Sequence, residues 1–504
     1  MIRLLPALLA LLAWPAPPAD DDIRLPATDA HLAPVRDYVE AVPEAGYRHA
    51  PASAFEAFRD MKYGVRIHWG LYSGRFAGGE SWPFLDLPFE KKQEYQEAYK
   101  TWNPAGFDAE QWMRLFADSG LKMFAFTSKH HDGFSMFDTR TRVVRRVNWT
   151  APGGPRIEEC SLAYSIAETP LGRDVVGELC AAARRHGIRI DLYFSHPDWY
   201  DADFRPYGFS PITTPGATAH PELYGRADVA RRARDFFFTA PDPTEAEEAR
   251  MMARHRQQLV ELLTRYGRID MLCLDMWLGA RVWPQLRETV KLVRSLQPEV
   301  MLRARGIGNY GDYYTPEGFV PGNPENTAMP WFVIYPLGRT FSYEPEAARH
   351  KGAAWIVRSL VDAVAKGGGF MVGIGPDADG RFHPAAIANL RDAGAWLRVN
   401  GEAIYATRPR DGDLWQEGEH VRFTRSQDGR VVYAITDEWP GSVLKLQKVR
   451  AARGSAVTLL GCAQPLAWDQ DPGGALSIQL PASLADPARR PCPIAWTFRI
   501  QVTR

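Results

Sequence analysis

Four places in this 504-residue chain put side chains capable of acid–base or hydrogen-bonding chemistry at the end of a short apolar run. The run YGVRIHW (63–69) ends in His68-Trp69-Gly70, and LKMFAFTSK (121–129) runs into Lys129-His130-His131-Asp132-Gly133. IDMLCLD (269–275) closes on Asp275, after Met271-Leu272-Cys273-Leu274. VMLRAR (300–305) closes on Arg305 and is followed by Asp312-Tyr313-Tyr314-Thr315-Pro316-Glu317. A carboxylate so placed can attack an electrophilic carbon or carry a proton, and neutral imidazoles and a guanidinium suit hydroxyl groups. Each residue also has a plainer use. A histidine at a strand end can be a hydrogen-bonded core residue, an aspartate can cap the next helix, and an arginine can pair with a neighbouring carboxylate. A His-His-Asp run can ligate a metal, but no second cluster with ligand spacing accompanies it. Recurrence at successive strand ends is what favours a shared cleft.

The elements that would position these groups alternate. Besides the four runs, IRIDLYFS (188–195) and GGFMVGIG (368–375) read as strands. Between them lie amphipathic stretches from Asp174 to His186, stopped by Gly187, and from about Glu247 to Tyr266, stopped by Gly267. Strands apolar on both faces, each followed by a helix, predict a parallel sheet covered by helices. Over some 350 residues this points to an α/β fold of the (β/α)8 type, a TIM-type barrel, whose reactive groups gather at the carboxyl ends of the strands. No nucleotide-binding glycine fingerprint follows the first strand. After about Pro409 the pattern changes, and VRFTRSQDGRVVYAIT (421–436) alternates across Asp428-Gly429 as a hairpin does. The expected organisation is a signal peptide at 1–19, a barrel over 30–408 and a C-terminal all-β sandwich over 409–504.

Composition sets the outer bounds. Lys+Arg and Asp+Glu each number 60, so the chain offers no general attraction to nucleic acid or an anionic membrane. Sixteen tryptophans agree with carbohydrate binding, since sugars lay apolar C–H faces on flat rings, although large cores use tryptophan too. Arg3 and the apolar run Leu4–Trp14 resemble the start of an export signal, with cleavage expected near Ala19 and a secreted or periplasmic product. No other segment is long and apolar enough to span a bilayer. The five cysteines lack CxxC spacing; Cys180 and Cys273 read as buried thiols, and Cys462 and Cys492 could pair in an oxidising compartment.

KYGVRIHWGLYS, TSKHHDGFSMFDT, IDMLCLDMW and GGGFMVGIGPDADGRFHP with WLRVNGEAIYATRP are long and distinctive. On these motifs the chain resembles glycoside hydrolase family 29, the α-L-fucosidases, over roughly residues 55–410. The resemblance implies that Asp275 is the nucleophile and that His68, His130, His131, Trp82 and Tyr193 bind fucose. Arg305 followed by DYYTPE matches the spacing of one branch of the family, which makes Glu317 the acid/base and Arg305 a sugar-binding residue. Phe341, in TFSY, stands where the family places an aromatic against the fucose methyl. No cofactor and no metal are implied, and the expected partner is a fucosylated oligosaccharide or glycoconjugate. Trp331-Phe332 departs from the family's Trp-Glu pair, Asn148 to Thr169 is unusually long, and Asp203 to Pro243 matches poorly. All three leave linkage and aglycone preference open.

The chemistry so implied is retaining hydrolysis, with two carboxyl groups about 5–5.5 Å apart. Asp275 must be ionised, with the histidines expected as its hydrogen-bond donors, and Glu317 must first be protonated. Arg305 would oppose that protonation, so it is expected to face the sugar hydroxyls rather than Glu317. Two other functions fit the same residues: a retaining glycosidase for another galactose-configured sugar, and a carbohydrate-binding protein without catalysis.

Overall fold

The computed structural model describes residues 32, 34–74, 76, 79–204, 244–318, 320 and 329–503. The expected signal peptide and most of the poorly matched 203–243 stretch lie outside them. Helix α1 (Ala52–Met61) buries Phe55, Phe58 and Met61, and leads into β1 (Tyr63–Ile67), buried at every position. Helix α2 (Phe89–Glu97) follows, then α3 (Ala109–Asp118), started by Asp108, whose carboxylate accepts from the Gln111 amide. Strand β2 (Met123–Lys129) is buried throughout. A hairpin, β3 (Val143–Asn148) with β4 (Arg156–Leu162), occupies much of the unusually long segment and is tied by Arg146 to Glu158 at 3.0 Å. Asp174 caps α4 (Val175–Arg185), which leads to β5 (Arg189–Ser195). A capping box at Thr244 and Glu247 starts α5 (Glu245–Arg265), ahead of β6 (Met271–Asp275), α6 (Trp283–Leu296) and β7 (Met301–Leu302). Strand β8 (Phe332–Pro336), α7 (Ala353–Ala365), β9 (Gly369–Ile374) and α8 (Pro384–Asn400) complete the alternation.

The seven strands of this sheet run parallel in the order β7-β6-β5-β2-β1-β9-β8. Between the end strands lies the segment 313–317. Parallel bridges join Arg303 to Tyr313, Tyr314 to Trp331 and Glu317 to Ile334, so this segment takes the place of an eighth strand. The barrel expected from the sequence is therefore present, with its seam closed by the residues that carry Glu317. The run 300–305 is a strand only at Met301–Leu302, because the chain beyond it turns to let Tyr313 pair with Arg303.

Strands β10 (Gln416–Glu417), β11 (Val421–Arg425), β12 (Val431–Thr436), β13 (Val443–Leu446), β14 (Val457–Leu459), β15 (Pro465–Leu466), β16 (Trp468–Gln470), β17 (Leu476–Gln479) and β18 (Trp496–Gln501) form the C-terminal part. They make antiparallel sheets of six and three strands, and β11 and β12 pair as the hairpin pattern predicts. This part is seated on the barrel by Trp396 Nε1 donating to Ala495 O at 2.8 Å and by Arg422 to Asp362 at 2.9 Å. All five cysteines are free thiols, Cys462 and Cys492 included.

Candidate active site

Asp275 ends β6, in register with Ser195 at the end of β5, and its side chain is only 10% exposed. Its Oδ1 accepts from Arg305 Nη1 at 2.9 Å and Arg303 Nη2 at 3.1 Å, and its Oδ2 accepts from the Tyr193 hydroxyl at 2.5 Å. Burial pushes this carboxyl up, but Arg303, Arg305, His131 and the Tyr193 hydrogen bond together hold it well below the usual aspartate range. It is thus held as an anion. The donors differ from those expected: two guanidinium groups and a phenol reach the carboxylate, and His131 acts on it only through its field.

Glu317 lies across the same pair of arginines. Its Oε1 accepts from Arg305 Nη2 at 2.6 Å and lies 3.5 Å from Arg303 Nη2. Because one Arg303 nitrogen is 3.1 Å from Asp275 Oδ1 and 3.5 Å from Glu317 Oε1, the two oxygens cannot be further apart than those contacts end to end. That ceiling only touches the lower edge of the roughly 6.5–9.5 Å an inverting pair needs, and it accommodates the roughly 5–5.5 Å of a retaining pair. Arg305 does not turn away from Glu317, as the sequence reading expects. It bridges both carboxylates, because two anions so close require a shared counter-charge.

The histidines form one wall. The His68 ring lies 5.2 Å from those of His130 and Tyr193, His130 is 4.1 Å from His131, and Trp82 stands 4.8 Å from His131. Phe341 closes the other side of His68 at 5.9 Å. Hydroxyl partners orient the rings. Thr127 Oγ1 donates to Ile67 O, so it accepts from His68 Nδ1 at 2.9 Å; Ser195 Oγ donates to Pro197 O and accepts from His131 Nδ1 at 2.7 Å. Both assignments leave Nε2 unprotonated as an acceptor for a hydroxyl. His130 Nδ1 meets Ser81 Oγ at 2.5 Å. Burial keeps all three rings neutral, with His131 lowered to about 4.

The nine residues to which the resemblance gives a role, Asp275, Glu317, His68, Trp82, His130, His131, Tyr193, Arg305 and Phe341, all join this one cluster. Sequence reasoning missed Arg303 and Glu80. Arg303 sits two places before Arg305, just past the end of β7, and both reach Asp275 Oδ1. Glu80 is 7% exposed. Burial pushes its carboxyl up to about 7, against backbone donors at Glu80 itself and Phe341, and the nearby charge of Glu317 adds to the rise. Its only signal was an acid two residues before Trp82. Behind the histidines, Lys129 (0% exposed) lies 3.9 Å from Asp198, which Arg254 holds at 2.6 Å. Gly133 (φ +79°) abuts that carboxylate and Trp199 N donates to His131 O at 2.7 Å, so the histidine loop is clamped from below. Asp312 is a structural anchor, bound to Arg294 at 2.5 Å and His49 at 3.1 Å.

A barrel with two carboxylates meeting at one pair of arginines, beside neutral histidines and aromatic rings, defines a glycoside hydrolase. The α-L-fucosidase family model matches residues 47–402 and the α-L-fucosidase C-terminal domain model matches 416–501. The chain belongs to the α-L-fucosidase family, glycoside hydrolase family 29, and is a retaining hydrolase of α-L-fucosides. It is 27% identical to the tissue α-L-fucosidase of Homo sapiens over 494 residues, covering 93% of this chain and 92% of that one. Its fold is similar to that of α-L-fucosidase isoenzyme 1 from Paenibacillus thiaminolyticus (TM-score 0.71, 24% identity, 90% of this chain and 99% of that one). It is also similar to a Bacteroides thetaiotaomicron family 29 enzyme solved as a trapped covalent intermediate (TM-score 0.67, 22% identity, 91% and 98% covered).

Proposed function

We propose that the chain releases fucose from fucosylated oligosaccharides or glycoconjugates by double displacement, with Asp275 as nucleophile and Glu317 as acid/base. The observation that carries this is the pair of carboxylates sharing Arg303 and Arg305. Asp275 is ionised and buried, so it attacks the anomeric carbon without first losing a water shell. Glu317, 29% exposed, sits where a leaving group can depart to solvent. In the free enzyme Arg305 favours its charged form. A sugar entering between the carboxylates draws Arg305 onto its hydroxyls, and the negative Asp275 then raises the proton affinity of Glu317. Once Asp275 is esterified that charge is gone, and Glu317 returns to the base form that activates water.

His68, His130 and His131 offer neutral donors and acceptors to the sugar hydroxyls, Trp82 and Phe341 pack on its apolar edge, and Glu80, protonated near neutrality, adds an O–H donor. We read residues 1–19 as a cleaved export signal, which gives a secreted or periplasmic enzyme; among the described residues no helix is long and apolar enough to cross a membrane. N-terminal sequencing of the exported protein checks this.

The chemical test is Asp275→Gly on an aryl α-L-fucoside. Activity falls on the order of 10⁴-fold, and azide restores turnover with β-L-fucosyl azide as product. Glu317→Gly gives the α-azide instead, because azide then meets the covalent intermediate. Residual activity within tenfold of wild type in Asp275→Gly would sink the assignment.

A further inference from the structure

Two places before His68, Tyr193, Asp275 and Arg305 the chain lies one step deeper in the barrel. Those places hold Arg66 below His68, Asp191 below Tyr193, Cys273 below Asp275 and Arg303 below Arg305. Barrel interiors are ordinarily filled by bulky branched side chains. Here four ionisable groups lie buried beneath the site, none more than 2% exposed. Arg66 Nη2 donates to Cys273 Sγ at 3.0 Å, and its guanidinium lies 5.3 Å from the centre of the Tyr193 ring. Arg303 Nη1 donates to the same sulfur at 2.8 Å, while Nη2 reaches Asp275 and Glu317. One sulfur thus takes two charged donors, and one of those donors spans both carboxylates.

We infer that Cys273 is a positioning residue for the nucleophile: its sulfur pins Arg303 in the orientation that sets Nη2 between Asp275 and Glu317, with Arg66 locking the sulfur from the other side. The guanidinium is a rigid plane, so fixing Nη1 fixes where Nη2 points. Nε of Arg303 has no hydrogen-bond partner among the described residues, which leaves the sulfur and the two carboxylates as its anchors. Asp191 does not take over the task. Its Oδ2 accepts from Tyr313 at 3.4 Å; among the described residues its Oδ1 has no hydrogen-bond partner and neither Arg66 nor Arg303 lies within ion-pair distance of it. Burial pushes Asp191 up to about 6, against Arg66 and Arg303.

The consequence is electrostatic. The groups facing this sulfur are Arg66 from β1, Asp191 and Tyr193 from β5, Asp275 on its own strand, Arg303 after β7 and Tyr313 from the closing segment. Of the groups that oppose burial at Asp275, Arg303 stands first. An Arg303 released from sulfur supports the Asp275 anion less, so the acid limb of kcat/KM moves to higher pH.

The inference rests on Asp275 as nucleophile, which the azide product of Asp275→Gly tests separately. For Cys273 itself, kcat and KM are measured against pH for Cys273→Ser, Cys273→Ala and Cys273→Val in the full chain, with thermal unfolding alongside. Serine keeps an acceptor and valine keeps the volume without one. The expected result is that Ala and Val lose about 10–100-fold in kcat with little change in KM, and that their acid limb rises by about one pH unit, while Ser restores most of both. A Val variant matching Ser in kcat and in pH profile would overturn the inference, since the sulfur would then only fill space. So would losses that track the melting temperature with the acid limb unmoved.

Discussion

Replacing Tyr193 by phenylalanine takes one hydroxyl from Asp275, the proposed nucleophile, and leaves the ring's neighbours in place. The hydroxyl donates to Asp275 Oδ2 at 2.5 Å. The ring also stacks on His130 at 5.5 Å, meets His68 edge-on at 5.2 Å and lies beneath the Arg66 guanidinium, and none of these needs the oxygen. A hydrogen bond to a charged acceptor is worth about 1.5–3 kcal/mol. At about 1.4 kcal/mol per unit, the proton affinity of Asp275 should rise by roughly one to two pKa units. Arg303 and Arg305 outrank the hydroxyl in holding this carboxyl down, so Asp275 stays an anion at neutrality. The variant therefore keeps turnover near pH 7, reduced about tenfold for looser aim. Its acid limb in kcat/KM on an aryl α-L-fucoside climbs by roughly one to two pH units. Stability follows the same linkage. A carboxyl lowered by folding stabilises above its unfolded value, and that contribution is lost as pH falls through the folded one. The stability gap between wild type and variant is thus widest near neutrality and narrows in acid. An acid limb that stays put, or moves to lower pH, would refute the account of how this anion is held.

Glu317→Gln should abolish hydrolysis of natural glycans yet retain the first step with a dinitrophenyl or fluoride leaving group, which needs no proton; burst kinetics on the activated substrate check it. Glu80 is a carboxyl raised by folding, so its contribution to stability is lost as pH climbs from about 4.5 to about 7. Denaturant melts at pH 5 and pH 8 should show Glu80→Gln gaining up to about 3 kcal/mol on wild type at the higher pH. Gly133→Ala puts a β-carbon against the Asp198 carboxylate at φ +79°, a strain of about 1–3 kcal/mol before the clash. Both the melting temperature and kcat/KM should fall, the latter because His131 shifts.

Much of the barrel was legible because buried parallel strands are apolar on both faces and stop where a polar side chain must meet the cleft. IDMLCLD shows this plainly, with Asp275 as its end. The closing segment was not legible. Tyr313–Glu317 contributes isolated bridges rather than a ladder, so it has no strand periodicity, and β7 is too short to carry any. The β3–β4 hairpin hides for another reason: Arg145-Arg146 and Glu158-Glu159 interrupt its alternation, and ion pairs formed only in the fold, Arg146 with Glu158 and Glu97 and Arg145 with Asp203, take up the arginines. The cluster was readable in membership and misread in orientation. Sequence shows that Arg305 and Glu317 lie a dozen residues apart. It does not show that two neighbouring anions leave the guanidinium nowhere better to go.

The layer beneath the site explains why the geometry holds without substrate. Asp275 and Glu317 cannot both stay ionised at this separation unless cations are fixed between them, and a mobile lysine or a hydrated surface arginine would not stay fixed. Strand alternation supplies the remedy: a site residue at position i has its support at position i−2, inside the barrel and out of water. Arg303 meets the need from below and Arg305 from beside, and Cys273 and Thr315 O, the latter 3.1 Å from Arg305 Nη2, hold the two guanidinium planes. A site built this way has its counter-charges set before the sugar arrives, so little reorganisation is left for the proposed step in which charge moves from Asp275 to the departing oxygen.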